Sequence, residues 1–305
     1  MNVLEIRGLT KRFGKQTIID GLNLTVPEGS VFGFIGKNGA GKTTTMKMVL
    51  GLLAADAGEI CVCGESVRFG RTVAGGSVGC LPDVPEFYPY MTAMQYLRFC
   101  GEIIGLSTRV LTTRAEDLLA LVGLAGVSKR IGGYSRGMKQ RLGIAQALLT
   151  EPKLLICDEP TSALDPLGRK EILDILRTLS GHTTVLFSTH ILSDVERICD
   201  RVALLNDGKI ALSGTLAELK ARHSHDDLCV EFATPEALTR FKNLPAVQPL
   251  LAQSWEEGCT WTLRSRQMAV AQRTLFGIFA ETGLCPLRME VLEPSLESLF
   301  LEVTG

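Results

Sequence analysis

The sequence predicts an α/β fold built on a mostly parallel sheet, followed by a small α+β region. Short apolar segments such as VFGFIG at 31–36 and KLLICD at 153–158 have the composition of strands that are buried on both faces. Helical segments separate such strands along the chain, which is the order of a parallel sheet covered by helices on both sides. A change in composition at 220–227 predicts a domain boundary.

The N-terminal part of the chain is predicted to hold antiparallel strands. Residues 3–9 (VLEIRGL) and 22–26 (LNLTV) alternate apolar and polar side chains, which is typical of half-buried antiparallel strands. The apolar strand at 31–36 then continues through a glycine-rich turn into a predicted helix at 42–52, and a further strand is predicted at 58–64. We therefore expect an antiparallel β-subdomain beside the parallel sheet.

Residues 84–134 are predicted to form an all-helical insertion. Thr92 and Gln95 have the spacing of a capping box, and apolar residues follow them at helical spacing. A second helix is predicted at about 113–123. The periodicity of the chain thus changes from that of strands to that of helices across this region.

Strands return after the insertion. Apolar strands are predicted at 153–158 and at 183–190 (TTVLFSTH), with a helix between them. The segment RVALLNDGKIAL at 201–212 predicts a hairpin whose turn lies at Asp207 and Gly208. We expect residues 1–220 to form a single α/β domain.

Residues 228–305 are predicted to form a small α+β accessory domain. Strands are expected at 228–233, 247–253, 259–264 and 287–291, and helices are expected at 235–243 and 267–282. This order matches a split β-α-β unit of the ferredoxin-like kind.

Charge and composition exclude some classes of function. The 32 Lys and Arg residues nearly balance the 33 Asp and Glu residues, so no broad basic field is available to hold a nucleic acid. The first residues, MNVLEIRGLTKRF, carry charges where a secretion signal needs an apolar run, so we expect that the chain itself is not secreted. No segment approaches the roughly 18 uninterrupted apolar residues of a membrane span.

Cysteine and histidine usage favours structural roles over metal binding. Nine scattered cysteines are typical of a protein from a reducing compartment. Cys61 and Cys63 lie on one face of a predicted strand without a second pair to complete a zinc site, so we expect core cysteines. His223 and His225 are expected to belong to a solvated linker rather than to a metal site.

The segment GKNGAGKT at 36–43 matches the pattern G-x-x-x-x-G-K-T between a predicted strand and a predicted helix. Glycines in this context let backbone N–H groups curl around phosphate oxygens at the positive end of a helix. The alternative is a glycine-rich turn without a ligand. We expect nucleotide contacts from Gly36, Asn38, Gly39, Ala40, Gly41, Lys42, Thr43 and Thr44, with Lys42 also in a catalytic role at the β- and γ-phosphates and Thr43 as a Mg²⁺ ligand.

Three polar residues follow the apolar strands that end near this loop. The strand LLICD ends in two acids, Asp158 and Glu159, and His190 ends the next apolar strand. Ligands bind at the carboxyl edge of such sheets. We expect Asp158 to hold Mg²⁺ through a water, Glu159 to accept a proton from an attacking water, and His190 to contact the γ-phosphate.

Five motifs then occur in a fixed order: GKNGAGKT, YSRGMKQR, LLICDEP, SALD at 162–165 and STH at 188–190. Together they resemble the ATP-binding subunit of an ABC transporter, over residues 1 to about 220. The resemblance implies a P-loop NTPase fold and an ATPase activity that uses ATP and Mg²⁺.

By this resemblance, GGYSRGMKQRLGIAQALL at 132–149 is the signature segment of the family. Ser135 and Gly137 match the family pattern, whereas Arg136 and Met138 replace its usual glycine and glutamine. The resemblance implies that Ser135 and Gly137 bind the ATP held by the P-loop of a second chain. Charge on the γ-phosphate would then bridge two helix ends and close a dimer.

Other positions take their expected roles from the same resemblance. Phe13 lies where the family stacks an aromatic side chain on adenine. Asp83, in VGCLPDVPEF at 78–87, lies where the family usually has a glutamine that contacts the metal. Aspartate is also an oxygen ligand for Mg²⁺, but it is shorter by one C–C bond of about 1.5 Å, so its contact is expected to follow a loop movement or to pass through water.

The chain is predicted to be the ATP-hydrolysing subunit that powers transport through separate transmembrane permease subunits. The segment EPSLESLF at 293–300 is similar to the terminus of ATPases from the drug-resistance exporter branch, which favours export. The expected partner is a second ATP-binding subunit, in a homodimer that lies peripherally on the cytoplasmic face of the membrane. The helical insertion, with its apolar entry FYPYM at 87–91, is expected to be the docking surface, and local packing is the alternative role of that aromatic cluster.

Two other functions are alternatives to transport. A soluble ABC ATPase that acts on nucleic acid or the ribosome usually carries two nucleotide domains in one chain, or a long coiled coil, and neither pattern occurs here. A P-loop kinase for a small molecule needs an acceptor pocket and a lid, and it has no use for a signature segment. Phosphate release without an acceptor distinguishes the transport ATPase from the kinase.

Overall fold

The structure is a computed structural model, and it describes residues 1–71, 76–222, 226–265, 267–292, 296–297 and 299–300. The chain divides into two compact units, Met1–Leu216 and Ala217–Gly305. His223, His225 and half of the C-terminal motif at 293–300 lie outside the described residues. None of the helices in the described ranges has both the length and the apolar character that a membrane span needs.

The first unit contains a four-stranded antiparallel sheet near its N-terminus. Its strands are β1 (Asn2–Phe13), β2 (Gln16–Pro27), β4 (Ala57–Val62) and β5 (Glu65–Ser66), in the order β2-β1-β4-β5. The antiparallel strands predicted at 3–9 and 22–26 are confirmed, and both are longer than their alternating segments. Leu4 and Ile6 on β1 are buried because the alternating pattern directs them to the core, and Leu9 is buried beyond a register shift that follows Ile6.

A six-stranded sheet forms the centre of the first unit. Its strands are β3 (Val31–Ile35), β6 (Val78–Leu81), β7 (Leu154–Asp158), β8 (Thr184–Thr189), β9 (Arg201–Asn206) and β10 (Lys209–Thr215). The order is β10-β9-β3-β8-β7-β6, and all neighbours are parallel except the β9–β10 hairpin. The carboxyl ends of β3, β8 and β7 therefore lie side by side, which brings together the residues that follow each strand.

Helices in the first unit follow the predicted order with changed ends. They are α1 (Lys42–Val49), α2 (Ala93–Ile103), α3 (Thr108–Leu121), α4 (Arg136–Ala147), α5 (Pro166–Thr178) and α6 (Leu192–Ile198). The predicted capping box is confirmed, since Thr92 Oγ1 accepts from Gln95 N at 3.3 Å and Gln95 Oε1 accepts from Thr92 N at 2.9 Å.

Two helix ends were predicted wrongly. A glycine conformation explains the first, and side-chain packing explains the second. α1 ends three residues before its predicted end because Gly51 adopts a left-handed conformation, with φ of 70°. α3 begins five residues before its predicted start, where Leu111 packs so closely on Gly101 that a Cβ at position 101 would lie 2.2 Å from it. Contact with α2 thus extends α3 beyond what periodicity alone predicts.

The second unit begins with α7 (Leu216–Arg222), which crosses the division between units. Its other elements are β11 (Asp226–Glu231), α8 (Pro235–Lys242), β12 (Ser254–Glu257), β13 (Thr260–Ser265), α9 (Met268–Thr282) and β14 (Arg288–Leu292). The sheet order β12-β13-β11-β14, with antiparallel neighbours, is that of a ferredoxin-like split β-α-β unit. Phe232, Phe241 and Trp261 are buried in its core.

The strand predicted at 247–253 is wrong. Residues Gln248–Gln253 form a 3₁₀ helix, and the strand begins only at Ser254. Pro249 lies in the first turn of that helix, where its missing N–H costs nothing, whereas it would remove a hydrogen bond from a strand.

Candidate nucleotide-binding site

The loop at 36–43 joins β3 to α1 and has the geometry of a helix start wrapped by backbone. Gly41 precedes the first residue of α1 with φ of 105°, and a Cβ there would lie 2.6 Å from the Ile19 side chain. Only glycine satisfies both conditions. The other predicted nucleotide contacts on this segment are Gly36 at the end of β3, Asn38, Gly39 and Ala40 in the loop, and Thr43 and Thr44 in the first turn of α1.

Lys42 lies folded against this loop and is almost fully buried, with 6% of its surface exposed. Its Nζ donates to the carbonyl oxygens of Gly36 at 2.7 Å and Lys37 at 3.4 Å. The same ammonium lies 3.2 Å from Glu159 Oε1. A buried ammonium is costly unless it is paired, so these oxygens hold the Lys42 charge inside the loop.

Asp158 ends β7 and accepts hydrogen bonds from two neighbouring elements. Its Oδ2 accepts from the Thr43 hydroxyl at 2.7 Å, and its Oδ1 accepts from the Ser188 hydroxyl at 2.5 Å. Thr43 and Asp158 are therefore brought together as two oxygen donors beside the loop. This small set suits Mg²⁺, which binds one or two protein oxygens and takes its remaining ligands from phosphates and water.

Glu159 lies between Lys42 and His190. Its Oε2 is 2.9 Å from His190 Nδ1, while its Oε1 faces Lys42 Nζ. The backbone of Glu159 has φ of 46°, and its N–H donates to the Ser188 carbonyl at 3.1 Å. Such a φ is uncommon for a residue other than glycine, and the contact with Ser188 helps to hold it. A carboxylate fixed between two nitrogen groups at a sheet edge can accept a proton from a bound water.

A buried polar network behind Glu159 was not predicted from the sequence. Thr161 Oγ1 donates to Asp194 Oδ2 at 2.7 Å, and Asp194 Oδ1 accepts from Arg169 Nη2 at 2.5 Å. The network ties the segment after Glu159 to α6, which follows His190. No spacing rule joins these three residues, because each lies on a different element.

Phe13 lies at the end of β1 with 52% of its surface exposed. Lys11 Nζ lies 5.4 Å from the centre of the Phe13 ring, a cation–π distance. Asp56 pairs with Lys11 at 2.9 Å and accepts from the Arg12 backbone N–H at 2.6 Å. The hydrogen bond from Lys11, and then that from Arg12, lowers the pKa of Asp56 below its usual value. The strand end that carries Phe13 is thus held in place while the ring stays half exposed.

The signature segment begins α4, and Ser135 stands at the exposed start of that helix. Ser135 is the N-cap residue, and its Oγ accepts from Met138 N at 3.2 Å. Within the described part of the chain, the hydrogen bonds of Ser135 stay in the first turn of α4. A Cβ at Gly137 would meet only Leu164, at 3.9 Å, so packing inside this chain does not require a glycine there.

Comparison with known proteins identifies the family. The chain matches the family model described as ABC transporter over residues 19–162. It is 35% identical to the bacitracin transport ATP-binding protein BcrA of Bacillus licheniformis, covering 99% of this chain and 97% of that one. The linearmycin resistance ATP-binding protein LnrL of Bacillus subtilis is 33% identical over 99% of this chain and 98% of its own length. The chain belongs to the ABC transporter ATP-binding family.

The comparisons also confirm the predicted fold and activity class. The Nod factor export ATP-binding protein I of Ralstonia nicotianae is 33% identical over 99% of this chain and 94% of that protein. A solved ATP-binding subunit of an ABC transporter is 31% identical, with a TM-score of 0.63, covering 72% of this chain and 92% of that chain. The P-loop NTPase fold is confirmed, and the ABC family hydrolyses ATP.

Asp83 and Arg136 depart from the usual ABC pattern, and the structure brings them together. Asp83 follows β6, and its Oδ1 lies 3.3 Å from Arg136 Nη2 in the signature segment. The backbone carbonyl of Asp83 accepts from Gln140 Nε2 at 2.8 Å. The role predicted for Asp83 as a metal ligand stays a prediction, whereas its contact with the signature helix was not predicted.

Proposed function

We propose that this ABC ATPase powers export through separate transmembrane permease subunits, as a homodimer on the cytoplasmic face of the membrane. The observation that carries the ATP-hydrolysing part of this proposal is the position of the Glu159 carboxylate, 2.9 Å from His190 and 3.2 Å from Lys42, beside the P-loop. Export is supported by relatives named for bacitracin transport, linearmycin resistance and Nod factor export. The predicted drug-resistance exporter branch agrees with these names.

The P-loop is proposed to bind the phosphates of ATP. Gly39 and Gly41 lie in the loop that leads into the start of α1, where the helix dipole favours negative charge and backbone N–H groups can bind phosphate oxygens. The Lys42 ammonium is buried in this loop and paired with Glu159, so its charge is already placed beside the proposed site of the β- and γ-phosphates. Phe13 offers a half-exposed ring on which adenine can stack.

Thr43 and Asp158 are the proposed protein ligands of Mg²⁺, and Asp83 is a third candidate. Mg²⁺ held by these oxygens would supply positive charge to offset the negative charge of the phosphates. The hydrogen bond from Ser188 keeps the Asp158 carboxylate turned toward Thr43. The Ser188 hydroxyl thus orients the carboxylate that is proposed to bind the metal.

Glu159 is the proposed general base and His190 its orienting partner. The Glu159 carboxylate accepts the proton as water attacks the γ-phosphate, and the short contact to His190 holds that carboxylate toward the reacting water. His190 is half exposed and is also proposed to contact the γ-phosphate. Lys42 stabilises the negative charge that develops during transfer.

Ser135 and Gly137 are proposed to bind the ATP held by the second chain of the dimer. The signature helix begins with an exposed N-cap, and Gly137 leaves open space where a phosphate can approach. ATP between the two chains would then close the dimer, and hydrolysis would open it again.

The permease subunits are proposed to dock on the helical insertion. A cavity of about 420 Å³ lies beside the loop after β6 and is lined by Asp83, Phe87 and Arg136, among others. Tyr88 and Tyr90 are exposed next to it, with ring centres 5.8 Å apart. Tyr88 also packs on Phe99 of α2 at 5.6 Å, so this aromatic surface is preformed.

Phosphate release by the purified chain tests the ATPase and distinguishes its rivals. We expect Mg-ATP hydrolysis without an acceptor, and no stimulation by DNA or ribosomes. A kinase would form ADP and a phosphorylated acceptor rather than free phosphate, and a nucleic-acid ATPase would be stimulated by its polymer. Reconstitution with the membrane partner in vesicles then tests transport, since an exported substrate should stimulate hydrolysis.

A further inference from the structure

We infer that Asp83 and Arg136 form one positioning device, in which their ion pair fixes the start of the signature helix for the partner's nucleotide. The inference rests on the ATP-closed dimer proposed above. In the family pattern these two positions are usually a glutamine and a glycine, which are both neutral. Here both are charged, with opposite signs, and their side chains meet at 3.3 Å.

The charge of Arg136 explains why an acid is useful at position 83. Arg136 is the first residue of α4, between Ser135 and Gly137. A cation at a helix N-terminus is opposed by the positive end of the helix dipole. The Asp83 carboxylate offsets this repulsion and keeps the guanidinium on the side of the loop after β6. Without Asp83, the guanidinium would be free to move over the surface that Ser135 and Gly137 present.

The loop after β6 is well placed to hold α4 because the two already pack closely. Gln140 is fully buried and donates to the Asp83 carbonyl at 2.8 Å. A Cβ at Gly143 would lie 2.5 Å from Leu81 and 3.4 Å from Pro85, so α4 rests directly on this loop. The ion pair adds a contact at the helix start, at the end of this packed surface.

The expected effect is moderate, because the side chains of Arg136 and Asp83 are 42% and 47% exposed. Ion pairs at this exposure change an equilibrium by about threefold. A homodimer would contain two such pairs, so the association constant should change by about tenfold.

The test measures ATP-driven association in a Glu159→Gln background, at saturating Mg-ATP, by sedimentation. The variants are Asp83→Asn, Arg136→Gln and the two combined. We expect each single variant to weaken association by about tenfold and the double variant to be no weaker than the weaker single one. Arg136→Lys should restore association to within about twofold, since a single nitrogen makes the contact.

A second ion pair of similar exposure provides the control. Arg197 and Asp174 lie 2.9 Å apart with side chains 39% and 52% exposed, outside the site. Arg197→Gln and Asp174→Asn should leave association unchanged. The unfolding midpoint of each variant, measured without nucleotide, should stay close to that of its parent, since a merely structural role would lower it.

Other outcomes overturn the inference. Additive losses would mean that Asp83 and Arg136 act separately, for example with Asp83 at the metal. Association equal to that of the parent in both single variants would mean that the ion pair positions nothing. If the Glu159→Gln parent itself fails to associate with Mg-ATP, the proposed dimer fails and this inference fails with it.

Discussion

Two loops of this chain each lead into a helix, and they differ in what surrounds their polar groups. At the P-loop, the Lys42 ammonium is buried and held by the Gly36 carbonyl and the Glu159 carboxylate. At the signature segment, the hydrogen bonds of Ser135 within the described residues stay in its own first turn, and a side chain at Gly137 would meet only Leu164. The key charge of the P-loop is therefore held by other parts of the chain, whereas Ser135 and Gly137 are not.

This difference indicates where each loop finds its ligand. The P-loop adjoins the strand ends that carry Asp158 and Glu159, so the groups proposed for metal binding and proton transfer belong to the same chain as the P-loop. In the described contacts, Ser135 at the N-terminus of the signature helix has no hydrogen-bond partner outside that helix. A role for Ser135 and Gly137 toward a ligand held by a second chain accounts for both observations.

The largest expected effect comes from removing the central charge of the P-loop. Lys42→Ala should lower the rate of ATP hydrolysis about 1,000-fold, because it removes the buried charge proposed to stabilise the developing phosphate charge. Lys209→Ala, at an exposed lysine paired with Asp20, is the matched control and should retain activity. Near-normal turnover by Lys42→Ala would refute the P-loop assignment.

The next effect concerns the carboxylate between Lys42 and His190. Glu159→Gln should lower turnover at least about 100-fold, because glutamine cannot accept the proton of the attacking water. ATP binding should persist, so a species of twice the monomer mass should accumulate on gel filtration with Mg-ATP. Turnover at the wild-type rate would place the proton acceptor elsewhere.

A smaller effect is expected at the exposed edge of the nucleotide site. Phe13→Ala should weaken ATP binding by about tenfold through the loss of ring stacking, and Phe13→Trp should preserve binding. Phe69, also exposed on the first unit, supplies the control Phe69→Ala. Equal ATP affinities for the two alanine variants, measured by titration calorimetry, would show that adenine does not stack on Phe13.

The smallest effect should come from the buried network behind Glu159. Thr161→Val keeps the side-chain shape but leaves Asp194 without one hydrogen bond, which should lower the free energy of unfolding by about 1–3 kcal/mol. Thr113→Val, at an exposed hydroxyl on α3, should change it by much less. Urea unfolding of both variants gives the comparison, and equal values would show that the network does not stabilise the site.

The residues of the P-loop site can be predicted from local sequence, whereas the contacts between distant elements cannot. Thr43, Asp158, Glu159 and His190 each follow a short apolar strand or begin the helix after one, so sheet topology alone brings them together. The Asp83–Arg136 and Thr161–Asp194 contacts depend on how α4 and α6 pack on neighbouring loops, which no periodicity encodes. The 3₁₀ helix at Gln248–Gln253 was missed for a related reason, since apolar residues there also suit a strand.

The measurement that tests the central claim most directly mixes two inactive variants. Lys42→Ala breaks the P-loop, and Gly137→Asp places a carboxylate where the partner's γ-phosphate should lie. The open space at Gly137 lets the aspartate fit without disturbing the fold, which circular dichroism should confirm. In a mixed dimer, the intact P-loop of the Gly137→Asp chain faces the intact signature segment of the Lys42→Ala chain.

Mixing equal amounts should restore hydrolysis to about a quarter of the wild-type rate, since half of the dimers are mixed and each has one intact site of two. If the two sites must fire together, ATP-driven association should still be partly restored, so both phosphate release and association are measured. Rescue in either assay is the result that this account predicts. With mixed dimers shown to form by differential tagging, the absence of rescue in both assays would contradict a role for Ser135 and Gly137 at the partner's ATP.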